Sequence, residues 1–195
     1  MSSIARSITK TGGSGTSSDV ELVVPRLEKW TTASLFALEK QGTQVVVCRG
    51  SVTDYVVSLK GVRPRGWPPG STWDSVPGLH KSETNEVVIA IIGHAAKKPH
   101  VPRLGEGHGS YDLVVHESAH AVDKSGGATK RSASPAFTQA RKKDLATLSA
   151  YEKQSGSAGP EETWAESAAR YFGKDPKDAK AHPNLHGFWA SNPVK

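Results

Sequence analysis

The chain has 195 residues, 36% of them hydrophobic, which is enough for one sizeable core and excludes two full domains. Its longest apolar stretch, residues 87–92, is far shorter than the roughly 20 residues needed to cross a bilayer, which excludes a membrane-spanning protein. The formal net charge of +6 permits nucleic-acid binding, but the Lys and Arg residues form short scattered clusters without interleaved aromatic residues. We therefore expect one domain that does not bind nucleic acid.

Cys48 is the only cysteine, which excludes an internal disulfide framework, a cysteine-based zinc ribbon and an iron–sulfur cluster. Residues 1–18 are mostly Ser, Thr and Gly and lack the apolar run of a classical secretion signal, so export would need another route. The same composition predicts a flexible segment over residues 1–18, followed by the folded domain over residues 19–195.

The N-terminal half of the domain is predicted to hold a helix followed by strands. Apolar spacing predicts the helix over residues 25–41, with Pro25 near its first turn. A buried strand is predicted over residues 43–48. Residues 52–59 fit either a strand or a short helix, and the sequence leaves this open.

Two further segments precede the C-terminal helices. Residues 61–78 are crowded with Pro and Gly but carry Trp67 and Trp73, which predicts an ordered loop with aromatic anchors. The β-branched run 86–93 is the clearest strand in the sequence. If this strand borders the cleft, we expect it to pair with an extended peptide through main-chain hydrogen bonds.

Helical spacing dominates the rest of the chain. One helix is predicted over residues 111–124, with Ser110 or Asp112 as its N-cap. Two more are predicted from residue 135 to about residue 154 and over residues 160–172. The chain is polar after residue 173, and its last aromatic residues are expected to pin that segment to the core.

The helix over residues 111–124 contains His116, Glu117 and His120, the H-E-x-x-H arrangement of zinc hydrolases. Residues four apart on a helix lie about 40° apart around its axis, so both imidazoles can face one metal ion. Glu117 lies about 100° from His116, beside that ion, where it can take a proton from the attacking water. The alternative is a helix with two core histidines, which would bury several polar groups together. We therefore predict a metal site.

Catalytic zinc needs a third protein ligand. The metzincin pattern would place Gly at position 123 and His at position 126, but the chain has Asp123 and Gly126. Acidic residues or histidines further along the chain remain as candidates, and the helix over residues 160–172 carries several glutamates. The alternative for this helix is an ordinary capped helix with solvated glutamates.

Glu162 is the predicted third ligand, and Glu161 is a lesser alternative. Glu166 lies one turn beyond Glu162 on the same helix face, so it could accept a hydrogen bond from the free ring nitrogen of a ligating histidine. Asp123 shares a face with both histidines and could have the same supporting role. Small alanines beside the glutamates would let this helix approach the zinc helix.

Three stretches of the sequence form a specific combination. They are PRGWPPGSTWDSVPG at 64–78, GHGSYDLVVHESAHAVD at 107–123 and PEETWAESAARYF at 160–172. Together they resemble the catalytic domain of the anthrax lethal factor family, which includes the clostridial Pro-Pro endopeptidases. H-E-x-x-H alone occurs in many zincins, but the Trp-Asp loop, the His-Gly-Ser before the zinc helix and the E-x-x-x-E after it make this resemblance specific over roughly residues 55–173.

The resemblance implies a compact α+β zincin fold with a small mixed sheet and a zinc-binding helix. It implies a gluzincin-type zinc endopeptidase in which His116, His120 and Glu162 hold Zn²⁺, Glu117 is the general base and Glu166 is a supporting carboxylate. It also implies a protein or peptide substrate and, as in many family members, a role as a secreted toxin or delivered effector. An immunity or inhibitor protein is a further candidate partner, which the sequence itself does not reveal.

One departure from the family pattern concerns the oxyanion. Family members usually carry a Tyr about seven residues before the Glu ligand, and that position is Ser155 here. Tyr151 is the nearest substitute and the predicted catalytic tyrosine. His108 is a second candidate donor, although a loop histidine commonly caps backbone groups. Without either donor, the rate would fall on the order of 10²–10³-fold, by analogy with oxyanion-hole deletions.

These patterns predict a zinc endopeptidase and leave two alternatives. The first is a basic, non-catalytic binding module in which zinc is structural or absent. The second is a zincin-fold peptide receptor without turnover, because the expected tyrosine is displaced. Metal content separates the first alternative from the prediction, and turnover separates the second.

Overall fold

The computed structural model describes residues 3–64, 68–93 and 98–191. Its helices are α1 (Ile4–Ser7), α2 (Ser17–Leu27), α3 (Thr32–Lys40), α4 (Leu113–Lys124), α5 (Pro135–Asp144), α6 (Ala158–Gly173), α7 (Asp178–Ala181) and α8 (Pro183–Ser191). Its strands are β1 (Thr9–Thr11), β2 (Gln44–Arg49), β3 (Gly78–Lys81) and β4 (Glu86–Ile91). The predicted α+β class with a small mixed sheet is confirmed.

The sheet has the order β1-β2-β4-β3. The first three of these strands are parallel, and β3 runs antiparallel to β4. The prediction of strands over 43–48 and 86–93 is confirmed by β2 and β4. The expectation that the strand over 86–93 pairs with a peptide is wrong, because both sides of β4 are already paired within the sheet. Among the described residues, the free edge on this side belongs to β3.

The N-terminal segment differs from its prediction. Residues 4–11, predicted to be flexible, form α1 and β1, and β1 pairs with β2 from Thr9 opposite Val45. Ala5 and Ile8 are buried in the main core. The composition of residues 1–18 does not reveal β1, because a short edge strand is held by backbone hydrogen bonds, which need no apolar side chains.

The helix predicted over residues 25–41 is two helices. The chain breaks after α2, and Thr31 then caps α3 by accepting a hydrogen bond from the Ser34 amide at 3.1 Å. Pro25 lies near the end of α2 rather than in a first turn. The true start of α2 is a capping box in which Thr16, inside the segment predicted to be flexible, pairs with Asp19 just beyond it.

Each face of the sheet is covered by a different layer. Helices cover one face, and the other carries a smaller apolar cluster that includes Val46, Val52, Val88 and Trp73. Residues 52–59, left open by the sequence, form two short 3₁₀ turns. The predicted ordered loop is confirmed for its described part by the packing of Trp73, whereas Trp67 lies outside the described residues.

Buried polar contacts hold α4 in place. Asp112 is its N-cap, and this buried carboxylate also accepts hydrogen bonds from Lys29 at 2.7 Å and Arg26 at 3.0 Å. The Trp30 indole donates to Ser118 at 2.8 Å in the middle of the helix. These bonds hold α4 against the end of α2 and the residues that follow it.

The C-terminal half packs around α4. The helix predicted over 160–172 is confirmed as α6, and the Trp164 indole donates to the Ala119 carbonyl at 3.1 Å. The helix predicted from 135 to about 154 ends at Asp144, and turns follow it. Trp189 of α8 is buried against Trp164, as expected for the segment after residue 173. No helix in the described ranges combines the length and apolar character needed to cross a membrane.

Candidate active site and metal centre

A cavity of about 1050 Å³ lies where α4, α6 and β3 meet. Its size is at the upper end of typical ligand sites, about 300–1,000 Å³. The predicted metal ligands, general base, catalytic tyrosine and supporting acids all line it: His116, Glu117, His120, Asp123, Tyr151, Glu162 and Glu166. The fold therefore brings together residues that the sequence places in three separate segments.

Three side-chain atoms converge in this cavity. The Nε2 atom of His116 lies 3.7 Å from Oε2 of Glu162, and Nε2 of His120 lies 3.5 Å from the same oxygen. In a tetrahedral zinc site with bonds of 2.0–2.2 Å, two ligand atoms are roughly 3.3–3.6 Å apart. The spacing therefore suits a zinc ion between the three atoms.

The charge around these atoms also suits a cation. Oε2 of Glu162 is buried and has no hydrogen-bond partner among the described residues. Burial opposes protonation of His116, but the charge of Glu166, with smaller effects from Glu117 and Glu162, raises its pKa to about 9. This excess of negative charge is what a divalent cation would neutralise. Two imidazoles and a carboxylate form a donor set that zinc favours, so the residues fit this metal.

Glu117 lies beside the converging atoms, on the β3 side of α4. Its carboxylate packs against Gly78, where an added Cβ would lie 2.6 Å from Oε1 of Glu117. Burial raises the pKa of Glu117, with the neighbouring carboxylates adding to this effect and the two histidines opposing it. A carboxylate with a raised pKa in such a place is suited to accept a proton and to return it.

Glu166 lies behind His116, as predicted for a supporting carboxylate. Its Oε1 atom is 3.2 Å from Nδ1 of His116 and accepts a hydrogen bond from Ser110 Oγ at 2.6 Å. Burial acts to raise the pKa of Glu166, but the charge of His116 and these hydrogen-bonding groups lower it to about 2. Sequence reasoning considered Ser110 only as a helix cap and missed this contact.

Asp123 does not take the supporting role predicted for it. Its two oxygens accept hydrogen bonds from the amide and the hydroxyl of Ser132, at 2.5 and 2.7 Å. Asp123 therefore holds the turn Arg131–Ala133 against the end of α4, and neither histidine is its partner. Asp123 does share a helix face with both histidines, as predicted. Its carboxylate, however, is hydrogen-bonded to Ser132, further along the chain.

Two alternative residues have other partners. Glu161, the lesser ligand candidate, pairs with Lys130 at 2.7 Å. His108, the second oxyanion candidate, contacts the Pro102 carbonyl at 3.1 Å through Nε2 and accepts from the Ser110 amide at 3.2 Å through Nδ1. Both ring nitrogens of His108 are therefore used to organise its loop.

Tyr151 lies on the turn between α5 and α6 and lines the cavity. The residue is 48% exposed, yet desolvation and the negative charge of Glu162 raise the pKa of its phenol above the ordinary value. Ser155, which occupies the usual family position, is exposed and is not part of the cavity lining. Of the two, only Tyr151 is near the converging ligands.

His80 is a cavity residue that sequence reasoning missed. It lies on β3 two positions after Gly78, and its ring is nearly parallel to that of His120, with centroids 6.1 Å apart. Its Nε2 atom is buried without a hydrogen-bond partner in the described ranges, and burial, followed by the charge of His120, lowers its pKa to about 4. A lone histidine in a short edge strand carries no sequence signal that could have identified it.

Comparison with known proteins places the chain in a family. Residues 15–182 match the model of the family described as anthrax toxin lethal factor, N- and C-terminal domain. The chain belongs to this family. The resemblance seen in the three sequence stretches is thereby confirmed.

The chain is also similar to two curated Pro-Pro endopeptidases. The chain is 39% identical over 110 residues to the enzyme of Paenibacillus alvei and 36% identical over 108 residues to that of Clostridioides difficile. These matches cover 55% and 54% of this chain, and 46% and 44% of the relatives, so the chain matches less than half of their length.

The solved structure of the Paenibacillus alvei Pro-Pro endopeptidase has the same fold. The two structures align with a TM-score of 0.72 at 30% identity, over 97% of this chain and 99% of that one. The zincin fold expected from the lethal factor family is therefore confirmed along nearly the whole chain.

Proposed function

We propose that the chain is a zinc-dependent endopeptidase of the gluzincin type. The observation that carries this proposal is the convergence of His116, His120 and Glu162 on one point, with Glu117 beside them in a large cavity. Membership of the lethal factor family and similarity to two endopeptidases support it.

The chemistry divides between the metal and the surrounding side chains. Bound by His116, His120 and Glu162, zinc would lower the pKa of a water ligand and polarise the scissile carbonyl. Glu117 accepts a proton from the attacking water and returns it to the leaving nitrogen. Tyr151 donates a hydrogen bond to the carbonyl oxygen as that oxygen gains negative charge.

Substrate binding is proposed along β3. This strand pairs with β4 on one side, so its other edge offers main-chain groups to an extended peptide. Apolar side chains, including Trp73, Pro77 and Leu79, line the same cavity. Because the relatives are Pro-Pro endopeptidases, we propose a peptide with consecutive prolines as the substrate class.

Peptide cleavage tests this proposal. Internally quenched peptides with a central Pro-Pro bond, each paired with an Ala-Ala version, are incubated with the zinc-loaded wild type and with Glu117→Gln. We expect cleavage by the wild type and a loss of about 10²–10⁴-fold in Glu117→Gln, which retains its zinc. Equal products from both proteins would refute the enzyme proposal.

The same assay, together with the zinc content of the protein as purified, separates the two alternatives. A wild type that holds zinc but cleaves no peptide, including those of a diverse library, supports a peptide receptor without turnover. A wild type that holds no zinc supports the basic binding module. Cleavage of the library outside Pro-Pro bonds would retain the enzyme and replace the substrate class.

A secreted toxin or effector role, with an inhibitor protein as partner, is the further part of this proposal and rests on family membership. We expect the protein in the culture medium of the producing cells at a higher share than a cytosolic marker. Equal shares of both proteins in the medium would contradict export.

A further inference from the structure

We propose that the buried ion pair between Glu152 and Arg170 positions Tyr151 for catalysis. The inference rests on the proposed function, because it assigns Tyr151 the oxyanion-stabilising role in peptide cleavage. Glu152 and Arg170 are therefore positioning residues that act through Tyr151. The argument starts from the turn that carries the tyrosine, which belongs to neither α5 nor α6.

The side chain of Glu152 is directed into the protein. Glu152 is 3% exposed, whereas Tyr151 and Lys153 on either side of it are exposed. One carboxylate oxygen accepts a hydrogen bond from Arg170 at 2.8 Å. The other accepts from the amide and the hydroxyl of Ser149, at 3.0 and 2.8 Å. The carboxylate therefore stabilises the turn through Ser149 and links the turn to α6 through Arg170.

The backbone of Glu152 is held as firmly as its side chain. Its carbonyl accepts hydrogen bonds from Arg141 of α5 at 2.7 Å and from Thr163 of α6 at 3.1 Å. Thr163 directly follows Glu162, and Glu152 directly follows Tyr151. The hydrogen bond from Thr163 to Glu152 therefore holds the backbone beside Tyr151 close to the backbone beside Glu162, the proposed metal ligand.

The Arg170 guanidinium has a second buried partner, which lies outside the turn that carries Tyr151. Its Nε atom donates to Asp178 at 3.2 Å, so the guanidinium bridges two buried carboxylates. Without the Glu152 carboxylate, Arg170 keeps Asp178 as a partner, but the turn loses the charge-assisted bond from Arg170 and an acceptor for Ser149. Loss of the Glu152 carboxylate would shift the turn that carries Tyr151. Loss of the Asp178 carboxylate would disturb α7 instead.

This network explains how a displaced tyrosine can serve the site. The usual family position is Ser155, which is exposed in a turn that leads into α6. Tyr151 lies four positions earlier, on the same turn, and the residue is 48% exposed. We infer that Tyr151 is held in place by Glu152, whose carboxylate and backbone carbonyl both accept hydrogen bonds from neighbouring helices.

A double-mutant cycle tests the inference on the zinc-loaded protein, with the fastest-cleaved quenched peptide of the Pro-Pro set. Tyr151→Phe is expected to lower kcat about 10²–10³-fold. Glu152→Gln is expected to lower kcat about 10–100-fold, with KM within about twofold of wild type. In the Tyr151→Phe background, Glu152→Gln is expected to cause no further loss beyond about twofold, because coupled sites are not additive.

Asp178→Asn is the matched control. It removes the other buried partner of Arg170 and should lower the thermal unfolding midpoint in a similar way, while kcat stays within about twofold of wild type. If Glu152→Gln does not fold, Ser149→Ala replaces it, with a smaller loss of kcat that again disappears in the Tyr151→Phe background.

Three results would overturn the inference: a full kcat in Glu152→Gln, the same fold loss with and without the Tyr151 hydroxyl, or an equal kcat loss in Asp178→Asn. Each of these requires that the wild type cleaves the peptide. A wild type without turnover instead rejects the proposed function itself.

Discussion

At the scale of single residues, neighbours in the chain have separate roles. Glu162 meets the two imidazoles, whereas Glu161 pairs with Lys130. The motif His116–His120 was predictable because its geometry is local to one helix. The choice between Glu161 and Glu162 depends on how α6 is rotated against α4, which chain spacing alone does not fix.

Adjacent alanine substitutions test this choice. Glu162→Ala should weaken zinc binding by more than the roughly 10–100-fold that loss of a supporting partner costs. Glu161→Ala removes only a partly exposed ion pair and should keep zinc affinity within about threefold of wild type. Competition with a chromogenic chelator measures both. A larger loss in Glu161→Ala would reverse the assignment.

Ser110 offers a second test at this scale, because its hydroxyl donates to Glu166 behind His116. Ser110→Ala should lower zinc affinity and kcat by about tenfold, since it leaves a buried carboxylate oxygen with one partner fewer. Ser125→Ala removes a hydroxyl that bonds the Val122 carbonyl outside the cavity and is the control. Unchanged zinc affinity in Ser110→Ala would show that the hydroxyl does not support the site.

At the scale of elements, the sequence predicts the helices and strands whose apolar pattern is long and regular. β2, β4, α4 and α6 were predicted because each carries a long apolar or periodic signal. β1 and β3 were missed because three or four residues at a sheet edge carry no such signal. The cleft was therefore assigned to β4, although β3 forms its wall.

The packing of β3 against α4 gives a prediction at Gly78. An added Cβ would lie 2.6 Å from both Glu117 Oε1 and Leu113 Cδ1. Gly78→Ala should therefore displace Glu117, lower kcat at least tenfold and cost about 1–3 kcal/mol of unfolding free energy. Gly187→Ala in α8 meets no atom within 4 Å and is the control. Wild-type kcat in Gly78→Ala would contradict this close packing.

At the scale of the whole molecule, buried charges link stability to pH. Burial acts to raise the pKa of Asp178, but His182, His186 and Arg170 outweigh it and hold that pKa below the ordinary value. A depressed carboxyl pKa gives stability above the unfolded value, about 3.9, that is lost as pH falls through the folded pKa.

Denaturant unfolding of the wild type and Asp178→Asn measures this link. The variant should be about 1–3 kcal/mol less stable at pH 6, because it removes the charge that Arg170 and the two histidines face. The difference should shrink as the pH falls below about 3.9, because the unfolded wild type then binds a proton that the folded Asp178 carboxylate does not yet take up. A difference that stays constant from pH 6 to pH 3 would contradict this role.

The whole fold serves to bring α4 and α6 together beside one free sheet edge. Asp112 and Trp30 fix α4 from one side, and Trp164 joins α6 to it from the other. The sequence predicted both helices and their chemical residues. It could not predict Ser132, which binds Asp123, because that contact depends on a turn with no recognisable pattern.

The central claim is that this arrangement holds one zinc ion. Anomalous diffraction at the zinc edge, from crystals of the zinc-loaded protein, tests it directly. We predict a single strong peak about 2.0–2.2 Å from Nε2 of His116, Nε2 of His120 and a carboxylate oxygen of Glu162. A zinc ion held by a different set of residues, or no peak in this cavity, would contradict the account.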